Sequence, residues 1–107
     1  MEKDIDYLGD DNLPKADLYA PIDLSKRQLC PGIVIIHGGG WTSGDKAGSR
    51  EQNIGNTLAI QGYVCLSINY VLATNRGVAT WPENMQQCKT AVRWLRKNAG
   101  RLQIDSE

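Results

Sequence analysis

A β-branched run that ends in three consecutive glycines constrains this chain more than any other feature. The run is GIVII at residues 32–36, and it is followed at once by HGGGW at residues 37–41. Because the run shows no alternation of apolar and polar residues, it is typical of a strand buried on both faces of a parallel sheet. Glycines let the backbone approach a ligand closely and leave N–H groups free to point at it. We therefore expect a binding loop at the end of this strand.

The elements around this strand are predicted in the order strand, strand, helix, strand, helix. The strands are predicted at residues 16–21, 32–36 and 63–70, and the helices from about 49 to 61 and from 82 to the stop signal at Gly100. Strands that alternate with helices indicate βαβ units and a mostly parallel sheet flanked by helices. Residues 1–14 are predicted to be an acidic, turn-rich connection, and residues 102–107 the lead-in to another strand.

Composition excludes several classes of function. The 107 residues allow one domain at most, and 12 basic against 12 acidic residues give a formal net charge of zero, so nucleic acid is not expected as a partner. No apolar run is long enough to span a bilayer, and the N-terminus has no signal-peptide pattern. The cysteines, Cys30, Cys65 and Cys88, are widely spaced, so we expect free, inert core thiols, no metal site and a cytoplasmic location.

Three kinds of binding chemistry use glycine-rich loops of this type. A dinucleotide fingerprint requires a third glycine where this chain has Ser43, and a phosphate-binding P-loop requires a lysine where it has Asp45. The carboxylate of Asp45 would repel a phosphate, which disfavours the P-loop. The third kind is an oxyanion hole, which the HGGG form builds after a buried strand in lipases and esterases.

Several further motifs occur in a family's order and spacing. They are DLYAP at 17–21, HGGGW at 37–41 with GDK at 44–46, SINY at 67–70, WP at 81–82 and AVRWL at 91–95. With them the chain resembles the N-terminal portion of an α/β-hydrolase of the HGGGW esterase/lipase type, near the carboxylesterases and the feruloyl-esterase-like and acetyl-xylan-esterase-like enzymes. The resemblance covers about residues 15–105, so residues 1–107 are expected to form a partial α/β-hydrolase domain. Val71 and Gln87 depart from the family, which commonly has Arg and Asp at these places.

The resemblance implies a carboxylic-ester hydrolase that acts on a small-molecule ester without a metal or organic cofactor. The amides of Gly39 and Gly40 would form the oxyanion hole, and His37, Gly38 and Trp41 would support the loop. Trp41 and Tyr70 are candidate pocket residues, and packing roles for both stay open.

No serine of the chain lies in the G-x-S-x-G pattern of the nucleophile. In the family, the strand that carries this serine follows the position of Ile104 and Asp105. None of the triad is therefore expected within residues 1–107, and the fragment by itself is predicted to be inactive. His37, the single histidine, is predicted to brace the loop rather than to act as a base.

A second interpretation is a non-catalytic interaction module, or one half of a split hydrolase that needs a partner chain. A truncated parallel sheet would expose the edge of the strand at residues 33–36. Exposed apolar edges recruit other chains or self-associate. A complementing chain or self-association is therefore predicted at this edge.

Overall fold

The computed structural model describes residues 1–9, 14–21, 29–73 and 80–106. The described elements, in chain order, are β1 (Glu2–Ile5), β2 (Ala16–Tyr19), β3 (Gly32–Ile36), α1 (Ser49–Ile60), β4 (Val64–Ile68), α2 (Glu83–Lys97) and α3 (Ala99–Leu102). The strands form one sheet in the order β1-β2-β4-β3.

Strand β4 is the centre of this sheet, and all of its residues are buried. It pairs antiparallel with β2, where Leu18 faces Leu66, and parallel with β3, where Val34 faces Leu66. One of the three described pairings is thus parallel, whereas the sequence predicted a mostly parallel sheet. The parallel pair, β3 and β4, consists of consecutive strands joined by a helical crossover, α1, which is the connection that parallel neighbours need.

Strand β3 lies at the edge of the described sheet. Ile35 is buried, but Ile36 is 46% exposed, so the prediction of burial on both faces is wrong for this strand within the described residues. Cys30, two residues before β3, forms an isolated parallel bridge with Ile104. The amide of Asp105 donates to the Cys30 carbonyl at 2.8 Å. The predicted lead-in to a further strand is therefore present, and it runs parallel to β3.

Two apolar layers cover the sheet. On one face, Leu18, Leu66 and Ile68 pack with α2 through Cys88 and Leu95. On the other face, α1 covers a smaller cluster, which consists of Tyr19, Ile35 and Cys65 with Leu58 and Ala59 packed against it. The three cysteines are buried and free, as predicted.

The helices begin near their predicted residues but do not all end there. Helix α1 matches its prediction within one residue, whereas α2 ends at Lys97 and Asn98 caps it. Gly100 therefore does not stop α2; it lies inside the short helix α3. Helix α2 also has four basic residues that are all exposed: Lys89, Arg93, Arg96 and Lys97. No helix in the described part of the chain is long and apolar enough to cross a bilayer.

Gly55 and Gly100 give a matched test of helix packing. A Cβ at Gly55 would lie 2.6 Å from the Tyr19 ring, whereas a Cβ at Gly100 would meet no heavy atom within 4 Å. We expect Gly55→Ala to lower the free energy of unfolding by about 1–3 kcal/mol through overpacking. Gly100→Ala is expected to raise it by up to about 1 kcal/mol. Urea unfolding of both variants measures this, and a Gly55→Ala protein as stable as the parent would contradict the packing.

Candidate functional site

The loop at the end of β3 closes on itself at two glycines. Gly39 has φ 129° and Gly44 has φ 105°. A Cβ at Gly39 would lie 2.0 Å from the Ser43 carbonyl oxygen, and one at Gly44 would lie 2.3 Å from both the Gly38 carbonyl oxygen and His37 Nδ1. Both positions therefore require glycine, and the start and end of the loop are in direct contact.

The carbonyl groups of the loop fix the direction of two amides. The Gly38 carbonyl lies 2.8 Å from His37 Nδ1, which donates to it when that nitrogen carries the proton. The Gly39 carbonyl accepts from the amide (3.1 Å) and the hydroxyl (2.9 Å) of Thr42. Since these peptides are trans, the N–H groups of Gly39 and Gly40 point away from these partners. Within the described ranges neither amide donates a hydrogen bond, so the loop presents two free donors.

His37 is buried against the ring of Tyr70. Its ring is stacked on that of Tyr70, with centroids 4.4 Å apart, and the Tyr70 hydroxyl donates to the His37 carbonyl at 2.6 Å. Burial raises the pKa of Tyr70, and Cys88 and Glu51 raise it further, so the hydroxyl stays a neutral donor. His37 Nε2 is buried and has no hydrogen-bond partner among the described groups. No described serine hydroxyl is hydrogen-bonded to either nitrogen of this ring.

Trp41 lies between the loop and the protein surface. Its ring meets Tyr70 edge-on at 5.0 Å, and its carbonyl accepts from the amide of Ala73 at 3.0 Å. It is nevertheless 37% exposed, and it has the left-handed φ of 67° although it is not glycine. Trp41 therefore packs against the site and also presents a surface beside it, whereas Tyr70 is buried.

A cavity of about 420 Å³ lies beside the loop, next to the N-terminus of α1. Small-molecule sites commonly have such a volume, roughly 300–1,000 Å³. The cavity is lined by His37, Gly38, Gly39, Gly44, Asp45, Gly48, Ser49, Arg50 and Glu51. The structure thus brings three predicted site residues, His37, Gly38 and Gly39, to one cavity.

Asp45 holds the loop end but does not cap α1. Its carboxylate accepts from the Ala47 amide at 2.8 Å and from the Asn69 side chain at 3.0 Å. The N-cap of α1 is Gly48, which makes no side-chain cap hydrogen bond. Burial acts to raise the pKa of Asp45, but these hydrogen bonds and the neighbouring Lys46 outweigh it and lower the pKa.

Val71 and Gln87, the two departures from the family, are hydrogen-bonded to each other. The side-chain oxygen of Gln87 accepts from the Val71 amide at 2.7 Å, so α2 is tied to the segment after β4. In the sequence these positions are two separate departures. Their separation of 16 residues gives no local signal that they are partners.

The lowered pKa of Asp45 predicts a pH-dependent contribution to stability. A carboxylate with a depressed folded-state pKa stabilises the fold above its unfolded value, about 3.9, and loses that contribution as the pH falls through the folded-state value. We therefore expect the parent chain to be more stable than Asp45→Asn near pH 6. The difference should shrink as the pH falls below about 3.9. Urea unfolding at several pH values checks this, and a difference that stays constant with pH would contradict it.

Comparison with known proteins adds family evidence to this geometry. Residues 16–107 match the family described as BD-FAE. Esterase LipC of Mycobacterium tuberculosis is 32% identical over 94 residues, which are 88% of this chain and 22% of LipC. The probable carboxylic ester hydrolase LipM of the same organism is 31% identical over 80 residues, 75% of this chain and 18% of LipM.

Solved structures agree with these relatives. A thermophilic esterase from the Planctomycetes species Thermogutta terrifontis, Est2 with butyrate bound, matches with a TM-score of 0.81 and 29% identity over 98% of this chain and 37% of that one. Esterase 2 of the same organism, phosphorylated by paraoxon, matches with a TM-score of 0.74 and 30% identity over 91% and 36% of the two chains. The chain spans about a fifth of the length of the curated relatives it matches.

Proposed function

The chain belongs to the BD-FAE family and has the fold of the N-terminal region of α/β-hydrolase esterases, and we propose that it supplies the oxyanion hole of a serine carboxylic-ester hydrolase. The predicted family and fold class are thereby confirmed. The observation that carries the proposal is the pair of free amides at Gly39 and Gly40, at the carboxyl end of β3. Open α/β sheets bind their ligands at this end of the strands.

The two amides would act on the tetrahedral intermediate of acyl transfer. Donors that are already oriented stabilise the developing oxyanion without reorganising during the reaction. In this loop the orientation is supplied by the Gly38 and Gly39 carbonyls, which are held by His37 and Thr42. A third donor would come from the residue after the nucleophile.

The triad is proposed to come from chain outside residues 1–107. A catalytic base requires a hydrogen bond to its nucleophile. Nδ1 of His37 contacts Gly38 and Tyr70, and Nε2 is buried with no described serine hydroxyl bonded to it. His37, Gly38 and Trp41 are proposed as loop support, and the exposed face of Trp41 as a wall of the acyl pocket. The buried Tyr70 is proposed to act through its contact with His37. Residues 1–107 alone would be inactive, as a partial domain.

The open edge of β3 is proposed to receive the strand that carries the nucleophile. The bridge from Cys30 to Ile104 starts a parallel ladder there, and Ile36 is exposed further along the same strand. A cavity of about 270 Å³, lined in part by Val34, Val92 and Ile104, lies beside this edge. A complementing chain that supplies the strand is the second candidate, because the same exposed edge would accept it.

Ester hydrolysis by two forms of the protein tests the proposal. We expect no turnover of p-nitrophenyl acetate by residues 1–107 and clear turnover by a form extended through the reading frame that follows. Paraoxon, which phosphorylates the related esterase 2, should abolish the activity of the extended form. Activity of the short form that is lost in His37→Ala and resists paraoxon would overturn the proposal and require a mechanism built on His37.

Two alanine variants of the extended form test the oxyanion hole itself. Gly39→Ala places a Cβ 2.0 Å from the Ser43 carbonyl and must shift the loop, whereas Gly100→Ala, on α3 and outside the loop, meets no atom within 4 Å. Loss of one oxyanion donor costs about 10²- to 10³-fold in kcat, so we expect a fall of that order for Gly39→Ala. Gly100→Ala is the matched control, with a kcat close to that of the parent. Equal kcat values for the two variants would contradict the role of this loop.

A further inference from the structure

We infer that Lys46 is a positioning residue for the oxyanion loop, and that it acts through a buried ion pair with Asp17. The inference rests on the proposed function, because it assigns the ion pair to the loop that would hold the oxyanion. Lys46 follows the loop directly and lies outside the group of residues that would touch substrate.

The ion pair joins the loop end to two strands. Lys46 Nζ lies 2.8 Å from Asp17 Oδ1 on β2 and 2.9 Å from Asp4 Oδ1 on β1. The side chain of Asp17 is 1% exposed and that of Lys46 is 9% exposed. The Asp4 amide also donates to Asp17 Oδ1, at 3.0 Å. One ammonium group therefore holds two carboxylates, one of them fully buried, and is not available to a phosphate.

The backbone of Lys46 is fixed as firmly as its side chain. Its amide donates to the Asn69 side-chain oxygen at 2.8 Å, and its carbonyl accepts from the Ser67 hydroxyl at 2.9 Å. Ser67 belongs to the central strand β4, and Asn69 follows that strand. Lys46 is thus bound to β1, β2 and β4 together, which fixes its position in three directions.

A close contact at Gly44 couples the position of Lys46 to that of the proposed oxyanion donors. Gly44 lies two residues before Lys46, and its Cα is packed so closely on His37 and the Gly38 carbonyl that a Cβ would overlap both. Because packed protein interiors transmit small shifts, displacement of Lys46 would move the Gly38 carbonyl. The Gly39 N–H belongs to the same peptide plane and must turn with that carbonyl.

Stability alone does not explain a charged pair at this place. A buried ion pair replaced by neutral groups of similar size often leaves a protein equally stable, because burial removes the hydration of both charges. Apolar side chains would not reproduce the directional contacts that Lys46 and Asp17 make with each other. The neutral double variant Asp17→Asn/Lys46→Met therefore separates positioning from stability, since it removes the buried pair and leaves only the exposed Asp4 carboxylate without this partner.

The test measures kcat, KM and thermal stability in the extended form, with active sites counted by paraoxon titration. We expect Asp17→Asn/Lys46→Met to lower kcat by about tenfold or more, with KM changed less than about threefold, because donors that miss the oxyanion lower only transition-state binding. Lys89→Met, at an exposed position of α2, is the matched control and should leave both constants unchanged. A kcat within about twofold of the parent would overturn the inference, whatever the melting temperature.

Hydrogen exchange of the Thr42 and Lys46 amides, which donate to the Gly39 carbonyl and to the Asn69 side chain, gives a second readout that needs no activity. We expect exchange at these two amides to rise about tenfold in the double variant and to stay unchanged in Lys89→Met. If the parent protein hydrolyses no ester, the proposed function fails, and exchange alone decides whether Lys46 positions the loop. Unchanged exchange would then overturn the inference. Should the double variant not fold, Asp4→Asn, which keeps the Asp17 contact, must give a smaller effect of the same sign in both readouts.

Discussion

The burial of β4 between β2 and β3 is the constraint on which the rest of the structure depends. Each face of this strand contributes to a different apolar cluster, so both helices must pack on the sheet that it organises. Backbone groups buried this deeply need partners, and the neighbouring strands supply them. The ends of β4 therefore fix where the oxyanion loop and the start of α2 can lie.

Polar groups at the end of β4 bind the glycine loop and fix its position relative to this rigid strand. Ser67 and Asn69 bind the backbone of Lys46, and Tyr70 stacks on His37 and donates to its carbonyl. These contacts reach the two ends of the loop from one short segment. The loop is consequently held by the most buried strand of the chain rather than by its own sequence alone.

The parts of the fold with strong local patterns were predictable, and the parts set by distant partners were not. Strands β3 and β4 and both long helices follow from apolar runs and stop signals in the sequence. Strand β1 was missed because EKDI contains one apolar residue and no alternation. The exposure of Ile36 depends on which strand lies beside β3, which local sequence does not encode.

The candidate site likewise has one part that local sequence predicts and one part that depends on distant partners. The glycine loop follows from sequence, whereas the ion pair of Asp17 and Lys46 joins residues with no periodic relation. One signal was available: Asp17 is a charged residue between apolar neighbours in a predicted strand, and such a residue needs a buried partner.

The left-handed backbone of Trp41 has a consequence for how this loop changes in evolution. That conformation costs a residue with a side chain roughly 1–2 kcal/mol, whereas glycine adopts it freely. Selection on the backbone conformation alone would therefore favour a fourth glycine at this position. A lineage that keeps the indole at this position must gain something from the ring itself that outweighs the strain.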